Sequence, residues 1–360
     1  MNLGDRGESI MNSKERILKT LQGEKTDTIP VAPHWWGKYK YQLAGIASGF
    51  KDLPRCRALG GAELAEVDSL FYETFKPDWF HLNDGPRAKV DECPKQEILE
   101  LKQKVRLLDS KAVIDEYVSA VYMSVDEMLA ASTYEHVRIL SSRYGNDVFI
   151  AMNEGNPICR ILDPNGTFGF EEGLIALAEK PDMMEYLIFR EYEMMLEKIK
   201  VLKECGCHGF IGSETYCTGD LISPAMYRSL IFPAQKFFYN EVSKIGMIPI
   251  TYITGDIFPL IDDINELGVA ALMIEESKKN FKLDVIEIRR TLSEDITLFG
   301  NVDSVYTLLY GSHEDVVRET VKQLDAAQYG KFIIANGSPI AFDTPKENLS
   351  AMISAAREHS

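Results

Sequence analysis

The sequence lacks any long run of apolar residues. None of its 360 residues lies in a stretch that approaches the roughly 18 uncharged apolar residues of a membrane span, so no membrane protein is expected. Acidic residues outnumber basic ones, and the formal net charge is −16. This charge argues against nucleic-acid partners, because proteins bind their phosphates through Lys and Arg side chains. The first residues carry charges and no secretory pattern, which predicts a cytoplasmic protein.

Cysteine is scarce and scattered. Six cysteines in a chain of this length fit reduced thiols better than a disulfide framework. Cys205, Cys207 and His208 lie close together, but they precede a candidate strand, and no second pair completes the four ligands of a structural zinc site. We interpret them as ordinary thiols. Nucleotide-binding motifs are missing too, since the sequence contains no GxGxxG or P-loop pattern.

Apolar runs alternate with helical patterns along most of the chain. A helix is predicted from Ser13 to Gln22, capped by Asn12 or Ser13 and stopped by Gly23, and a long helix is predicted over 180–205. Residues 44–75 give mixed signals. The segment IPVAPHWWGKYKY (29–41) opens as a strand would. The candidate strands are DWFHLN (78–83), VFIAMN (148–153), HGFIG (208–212), MIPITY (247–252), AALMI (270–274), ITLFG (296–300) and KFIIA (331–335).

This alternation of strands and helices is typical of βαβ units and therefore of a parallel sheet. Right-handed crossovers leave two arrangements, a closed barrel or an open doubly wound sheet, and the spacing of the strands does not choose between them. No linker, charge block or internal repeat interrupts the chain. We therefore expect a single domain over residues 1–360.

Polar side chains follow the later candidate strands directly. Because ligand sites in α/β barrels lie at the carboxyl ends of the strands, these positions are the candidate site. The residues are Ser213, Glu214, Thr215 and Tyr216 after the third run; Thr251, Tyr252, Thr254 and Asp256 at the fourth; Glu275 and Glu276; Asn301 and Asp303; and Asn336, Gly337 and Ser338.

We select three of these carboxylates, Glu214, Asp256 and Glu276, as candidate catalytic residues. Carboxylates that converge at one mouth raise each other's pKa, which makes a general acid near neutral pH, or they bind a hard cation. The alternative for Asp256 and Asp303 is that each caps a following helix. Glu214 has no helical pattern after it until Pro224, so capping does not account for it.

Aromatic and polar residues earlier in the chain predict a pocket for a flat organic ligand. His34 and Trp36 belong to a cluster with Trp35 and Tyr39, and His81 and Asn83 alternate on a candidate strand. The alternative is a core cluster with hydrogen-bonded histidines. The predicted substrate-binding residues are His34, Trp36, His81, Asn83, Arg160, Tyr216, Tyr252, Thr254, Asn301, Asn336 and Ser338.

Several segments resemble the superfamily of uroporphyrinogen decarboxylases and methylcobamide methyltransferases, and they are closer to the methyltransferase branch. The segments are MNSKERILKTLQGEKTDTIPV, DLISPAMYRSLIFPAQKFF, TGDIFPLIDDINELGVAALMIEE, GNVDSVYTLLYGSHEDV and ANGSPIAFDTPKENLSAMISAARE. The resemblance implies an α/β fold, a (β/α)8 TIM barrel with an N-terminal helical extension. Residues 1–75 would form the extension and the first elements, and residues 76–360 the barrel.

In the coenzyme M methyltransferases of that branch, the resemblance implies a zinc ion held by a His-x-Cys pair and a later Cys. The matching positions here are Tyr252, Thr254 and Ser338, none of which is a good zinc ligand, so we expect no metal at these three positions. Zinc elsewhere stays open. The decarboxylases carry an arginine-rich N-terminal turn, whereas PHWWGKYKYQLAG offers Lys38 and Lys40 but no Arg.

The resemblance predicts an enzyme, a cobamide-dependent methyltransferase. It would move a methyl group from a small methylated substrate, aromatic in the O-demethylase-like case, to a corrinoid that a partner protein carries. Glu214 would act as acid or metal ligand, and Tyr252, Thr254, Asn336 and Ser338 would position the substrate. Two alternatives stay open: a uroporphyrinogen decarboxylase-like enzyme, and a non-catalytic barrel that binds a ligand or corrinoid.

Overall fold

A parallel sheet forms the centre of the fold. The computed structural model describes residues 11–35, 37–83 and 96–360. Within this part of the chain, seven strands pair in the order in which they occur, each parallel to the next. The strands are β1 (Trp79–Leu82), β2 (Phe149–Gly155), β3 (Gly209–Glu214), β4 (Ile248–Ile253), β5 (Ala271–Ile274), β6 (Thr297–Phe299) and β7 (Phe332–Ile333).

Helices connect the strands and cover the outer face of the sheet. Before β1 lie α1 (Ser13–Gln22), α2 (Tyr39–Leu43), α3 (Leu53–Arg57) and α4 (Gly61–Phe75). Between β1 and β3 lie α5 (Gln96–Val105), α6 (Lys111–Val121), α7 (Val125–Ala130), α8 (Glu135–Tyr144), α9 (Pro157–Leu162), α10 (Phe170–Glu179) and α11 (Pro181–Glu204). The later helices are α12 (Pro224–Met226), α13 (Phe232–Lys244), α14 (Ile261–Asn265), α15 (Val285–Thr291), α16 (His313–Leu324) and α17 (Lys346–Glu358).

The predicted elements are confirmed. Each of the seven candidate runs overlaps one observed strand, and the long predicted helix is α11. Helix α1 begins where its cap was predicted, because the Asn12 side chain accepts the Glu15 N–H, and it ends at Gly23, which has a φ of 75°. A left-handed residue at this position favours glycine, which has no Cβ to clash.

Residues 44–75, which gave mixed signals, form α3 and α4. Helix α4 is buried on more than one side, so its sequence does not show the single apolar stripe of a surface helix. Its Asp68 is 0% exposed and receives an ion pair from the equally buried Lys40, 2.7 Å away. Lys40 is therefore engaged in the core and does not offer its charge to a substrate.

Side chains alternate between the two faces of each strand, and this alternation determines which residues reach the interior of the sheet. Ile211, Ile250 and Tyr252 belong to an inner cluster with residues from other strands. Phe210, one residue before Ile211, packs in the outer cluster between the sheet and the helices. Strand β3 therefore directs Ile211 and Ser213 inward and directs Phe210 and Glu214 outward.

The segment around Val31 meets both ends of the sheet. Val31 forms an isolated parallel bridge with Ile334, just after β7, and Ala32 donates its N–H to the Ile334 carbonyl. On its other side the Val31 carbonyl accepts the N–H of Asp78, the residue before β1. We call this contact between residues 30–32, Asp78 and Ile334 the seam. These bonds give the sheet a TIM-barrel-like arrangement.

The cysteine cluster lies at the amino ends of the strands, as its position in the sequence indicated. Cys205 and Cys207 are buried, and burial raises the pKa of the Cys207 thiol to about 12. His208 Nδ1 accepts the backbone N–H of Ile150, so the ring supports the strand. Among the described helices, none is long and apolar enough to cross a membrane.

Candidate active site

Three aromatic rings meet at the carboxyl ends of the strands. His34 stacks on His81 with the ring centroids 4.7 Å apart, and it meets Tyr252 edge-on at 4.6 Å. His34 Nδ1 lies 2.9 Å from the Gly337 carbonyl oxygen, which can only accept, so this nitrogen carries the proton. Burial lowers the pKa of His34 to about 3, and both imidazoles are therefore neutral at physiological pH.

Glu276 lies beside this aromatic group. Its carboxylate is 3% exposed and accepts the Ser338 backbone N–H at 2.7 Å and the Ser338 hydroxyl at 2.9 Å. Burial, followed by the Glu275 and Glu276 charges, raises the pKa of Tyr252 well above its usual value. Tyr252 thus keeps its proton. Gly337 permits the close approach, since a Cβ there would lie 2.6 Å from a Glu276 oxygen.

The amide of Asn336 joins two of the chain segments that form this site. Its oxygen accepts the His34 N–H at 2.8 Å, and its nitrogen donates to the carbonyls of His34 and Ser338. Asn301 similarly donates to the Glu275 and Leu283 carbonyls. Both residues thus position the backbone that carries the candidate site. A cavity of about 260 Å³, lined in part by Glu276, Asn301 and Asp303, opens beside them.

A second polar group lies across the mouth, on β2 and β3. The Asn153 oxygen accepts the Ser213 hydroxyl at 3.0 Å and the Asn83 amide at 3.4 Å. Within the described chain the buried Asn153 amide nitrogen finds no acceptor, and neither ring nitrogen of His81, one a donor and one an acceptor in the neutral ring, has a hydrogen-bond partner. The Thr254 hydroxyl donates to the Thr215 carbonyl at 2.9 Å. Buried donors without acceptors are rare in folded proteins, so they favour contact with a ligand or with water here.

Glu214 does not join the other predicted carboxylates. It is the last residue of β3, and its side chain points outward into a closed box between the strand, α11 and α13. Tyr239 donates to it at 2.8 Å, Gln235 at 2.7 Å, and Tyr192 at 3.3 Å. Burial raises the pKa of Glu214 to about 7. The prediction that Glu214 meets Asp256 and Glu276 at one mouth is therefore corrected, because strand alternation separates them.

The two aspartates with a capping alternative both accept backbone N–H groups of the turn that follows them, although neither is the N-cap residue of an observed helix. Asp256 accepts the Phe258 N–H at 3.1 Å, and Asp303 accepts the Val305 and Tyr306 N–H groups at 2.8 and 2.6 Å. Such bonds satisfy donors at the start of a helical turn. These hydrogen bonds do not test the catalytic role predicted for Asp256. They do explain why an aspartate stands at this position without such a role.

Three further predicted residues lie away from the aromatic group or cannot be placed. Arg160 is on α9 and lines a separate cavity of about 400 Å³. The ring of Tyr216, in the turn after β3, pairs with Phe170 at the start of α10, with 6.1 Å between the ring centroids. Trp36 lies outside the described residues. Trp35 packs against Phe71 in the outer core, which fits the alternative proposed for the aromatic cluster.

Sequence reasoning missed Lys278, which lies beside two of the candidate-site carboxylates. The Lys278 ammonium forms ion pairs with both Glu276 and Glu275, and the Glu275 carboxylate accepts the Gly255 N–H. Ser213 and Asn153 also face the mouth. Position within the strands was the available signal: each is the last or next-to-last inward residue of its strand, as counted from Ile211 or Ala151.

The donors at Tyr252, Thr254 and Ser338 do not fit a zinc ion. Tyr252 is a neutral phenol, and the hydroxyls of Thr254 and Ser338 already donate to Thr215 and Glu276. Zinc in proteins takes thiolate, imidazole or carboxylate ligands. Nor do residues 11–35, 37–83 and 96–360 group three or more His, Cys, Asp or Glu side chains in a way that could hold a metal.

The fold and this mouth define a TIM-barrel-like α/β protein with a polar and aromatic site at the carboxyl ends of its strands. The chain belongs to the uroporphyrinogen decarboxylase (URO-D) family, whose model matches residues 110–359. It is 24% identical over 225 residues to the methylcobamide:CoM methyltransferase MtaA of Methanosarcina barkeri, and the match covers 62% of each chain.

Other relatives agree with this assignment. The methylcobamide:CoM methyltransferase MtbA of Methanosarcina mazei is 22% identical over 265 residues, 74% of this chain and 73% of that one. The uroporphyrinogen decarboxylase of Trichodesmium erythraeum is 28% identical over 139 residues, 38% of this chain and 37% of the relative. The structure of a methyltransferase from Methanosarcina mazei superposes with a TM-score of 0.72 at 17% identity, covering 97% of this chain and 99% of its own. That likeness shows the fold.

Proposed function

We propose that this protein is a cobamide-dependent methyltransferase that takes a methyl group from a small methylated substrate. The grouping of Tyr252, Ser338 and Glu276 against the His34 and His81 rings carries the proposal, because it brings neutral aromatic rings and hydrogen-bonding groups together at the carboxyl ends of the strands. The relatives named for methylcobamide:CoM methyl transfer support the reaction class. The methyl acceptor would be a corrinoid that a partner protein presents.

An aryl methyl ether is the substrate that this arrangement suits. A flat ring would pack on His34 and Tyr252, which are neutral and therefore apolar on their faces. The departing phenolate is a poor leaving group unless a donor stabilises its charge. Tyr252 keeps its proton and would donate to that oxygen, while Glu276 fixes the Ser338 hydroxyl and backbone. The corrinoid would supply the nucleophile for the methyl carbon.

We further propose that the chain is a single domain, a (β/α)8 barrel in which residues 30–32 act as the first strand. The bonds of the seam support this reading, since they lie on both sides of Val31. Helix α1 precedes that strand as an N-terminal extension, and its Ile17 packs into the inner cluster of the sheet. The catalytic roles predicted for Glu214 and Asp256 stay predictions.

The test is methyl transfer to a reduced corrinoid protein, followed by the absorbance change from Co(I) to methyl-Co(III). Donors would be methoxybenzenes, methyl thioethers and methylamines. We expect a methoxybenzene to react, and Glu276→Gln to lower the rate at least tenfold, on the scale of one positioned acid–base group. Glu287→Gln on α15 is the matched control, and it should leave the rate unchanged. If no donor methylates the corrinoid, the proposal fails.

The same purified protein tests the two alternatives. A decarboxylase would shorten the carboxylates of uroporphyrinogen, which fluorescence of the oxidised product detects. We expect no such product, because Glu275 and Glu276 outnumber the one ammonium of Lys278 that pairs with both, and the remaining negative charge would repel a substrate with many carboxylates. A barrel that only binds would retain a methoxybenzene unchanged in the presence of the reduced corrinoid protein.

A further inference from the structure

A second cavity lies outside the barrel interior, at the carboxyl end of β2. Its volume is about 400 Å³, and Lys102, Cys159, Arg160, Asp163 and Thr167 are among the residues that line it. The cavity is bounded by α5, by α9 and by the turn that follows α9. Neither Tyr252 nor Glu276 lines it, and it shares no residue with the cavity beside Glu276, so any ligand that it holds is recognised by different groups.

The guanidinium of Arg160 is held in place from two sides. Its central carbon lies 4.4 Å from the centroid of the Tyr122 ring, and its Nε lies 3.3 Å from the buried carboxylate of Glu191. The described residues provide no hydrogen bond to any of its nitrogens, although the side chain is only 36% exposed. A planar fork with unused N–H groups is suited to bind a carboxylate or phosphate by two parallel hydrogen bonds.

A second cation, Lys102, strengthens the preference of the cavity for an anionic ligand. The Lys102 ammonium donates to the Asn165 carbonyl at 3.1 Å, and two of its N–H groups are left for another acceptor. Burial and the charge of Arg106 lower the pKa of Lys102, as expected where positive groups gather. Asp163 is the opposing charge, and one of its oxygens accepts the Asn165 N–H within the turn. The lining residues thus carry a positive excess in a chain with a net charge of −16.

We propose that this cavity binds a small oxyanion, a carboxylate or a phosphate group, with Arg160 as the principal contact and Lys102 as the second. Glu191 alone does not explain the arrangement. Its contact with Arg160 is at Nε, and the terminal nitrogens of the guanidinium donate no hydrogen bond within the described residues, so they are left for a ligand. The proposal does not depend on methyl transfer, so its failure and the failure of the proposed function are separate results.

Cys159 provides a reporter inside the cavity. Its sulfur lies 2.8 Å from the Thr215 hydroxyl, and the residue lines the same space as Arg160. The test compares alkylation of Cys159 by iodoacetate, which carries a carboxylate, with alkylation by neutral iodoacetamide. Burial raises the pKa of this thiol, so labelling is done at about pH 9, and peptide mapping reads Cys159 separately from the other cysteines. The chain unfolded in urea gives the reference ratio of the two rates.

We expect the iodoacetate-to-iodoacetamide ratio to be about tenfold higher in the folded protein than in urea, on the scale of one charge-assisted hydrogen bond. Millimolar inorganic phosphate or benzoate should slow labelling by iodoacetate, and whichever protects more identifies the preferred oxyanion. Arg160→Gln should abolish the preference, and Arg160→Lys should retain part of it. Arg143→Gln is the matched control, since this exposed arginine on α8 pairs with Glu66 away from the cavity.

Two results would overturn the proposal. One is a ratio in the folded protein equal to the ratio in urea, without protection by phosphate or benzoate. The other is a raised ratio that Arg160→Gln leaves unchanged. Should Arg160→Gln fail to fold, as judged by circular dichroism, Lys102→Gln and Arg160→Lys provide the same comparison, because Lys102 is partly exposed and its removal leaves the Glu191 pair intact.

Discussion

At the scale of single residues, the buried Glu214 carboxylate makes stability depend on pH. Its pKa is raised from 4.5 to about 7 by burial, so the folded chain binds this proton more tightly than the unfolded chain. The contribution to stability is complete below about pH 4.5 and is lost as the pH rises through about 7. We expect a loss of about 3 kcal/mol over this range, from 1.36 kcal/mol per pKa unit.

Glu214→Gln provides the comparison, because the amide has nearly the same shape but does not titrate in this range. Urea unfolding of both proteins at pH 5 and pH 8 should show the wild type losing stability relative to the variant at the higher pH. If the wild type and the variant differ in unfolding free energy by the same amount at pH 5 and pH 8, the Glu214 carboxylate does not titrate between these pH values. Tyr192, Tyr239 and Gln235 would then hold it ionised throughout.

The position of Glu214 also shows which part of the site a sequence can predict. The carboxyl ends of the strands were recognisable, and Tyr252, Ser338 and Glu276 do meet there. The side of the sheet that each side chain faces was not recognisable. Strands in a sheet covered on both faces are apolar at every position, so their sequences carry no alternating pattern. Phe210 and Ile211 are equally apolar, yet they face opposite sides of the sheet. Glu214 faces the same side as Phe210, because the two are four residues apart on one strand.

At the scale of elements, helix α1 closes the amino end of the sheet. Its Ile17 is 0% exposed and belongs to the inner cluster with Trp79, Phe149 and Ile211. Ile17→Ala would leave a cavity among these rings, and we expect it to cost about 3 kcal/mol in the free energy of unfolding. Urea denaturation measures this cost. Lys19→Ala on the solvent side of the same helix, where Lys19 pairs with Glu15, should cost less than about 1 kcal/mol.

An equal effect of the two α1 variants would mean that the helix packs only loosely on the sheet. Elements such as α1 were predictable because cap, apolar spacing and glycine stop agreed along a short stretch of chain. Helix α4 was not predictable. Its buried face includes Asp68, which is stable there only because Lys40, 28 residues earlier, supplies the opposite charge. A pairing between separate elements leaves no local pattern.

At the scale of the whole molecule, Asp78 links the first and last parts of the sheet. One of its oxygens accepts the Val31 N–H at 2.8 Å, the other receives the Arg16 guanidinium, and its own N–H donates to the Val31 carbonyl. Asp78→Asn would remove the charge that Arg16 faces and replace an acceptor with a donor. Asp27 still pairs with Arg16 in this variant, so the guanidinium keeps one carboxylate partner. We therefore expect a loss of about 2 kcal/mol, on the scale of one buried hydrogen bond to a charged group.

Amide hydrogen exchange distinguishes a local effect at the seam from general destabilisation. In Asp78→Asn, the Val31, Ala32 and Ile334 amides should exchange faster by more than the change in global stability accounts for, because these bonds join the two edges of the sheet. Asp109→Asn, at an exposed pair with Lys180, should leave them unchanged. The contrary result is that the seam amides of Asp78→Asn keep the same protection, relative to the β4 amides, as in the wild type. Asp78 would then not hold the two edges of the sheet together, and the contacts of α1 and β7 would have to do so.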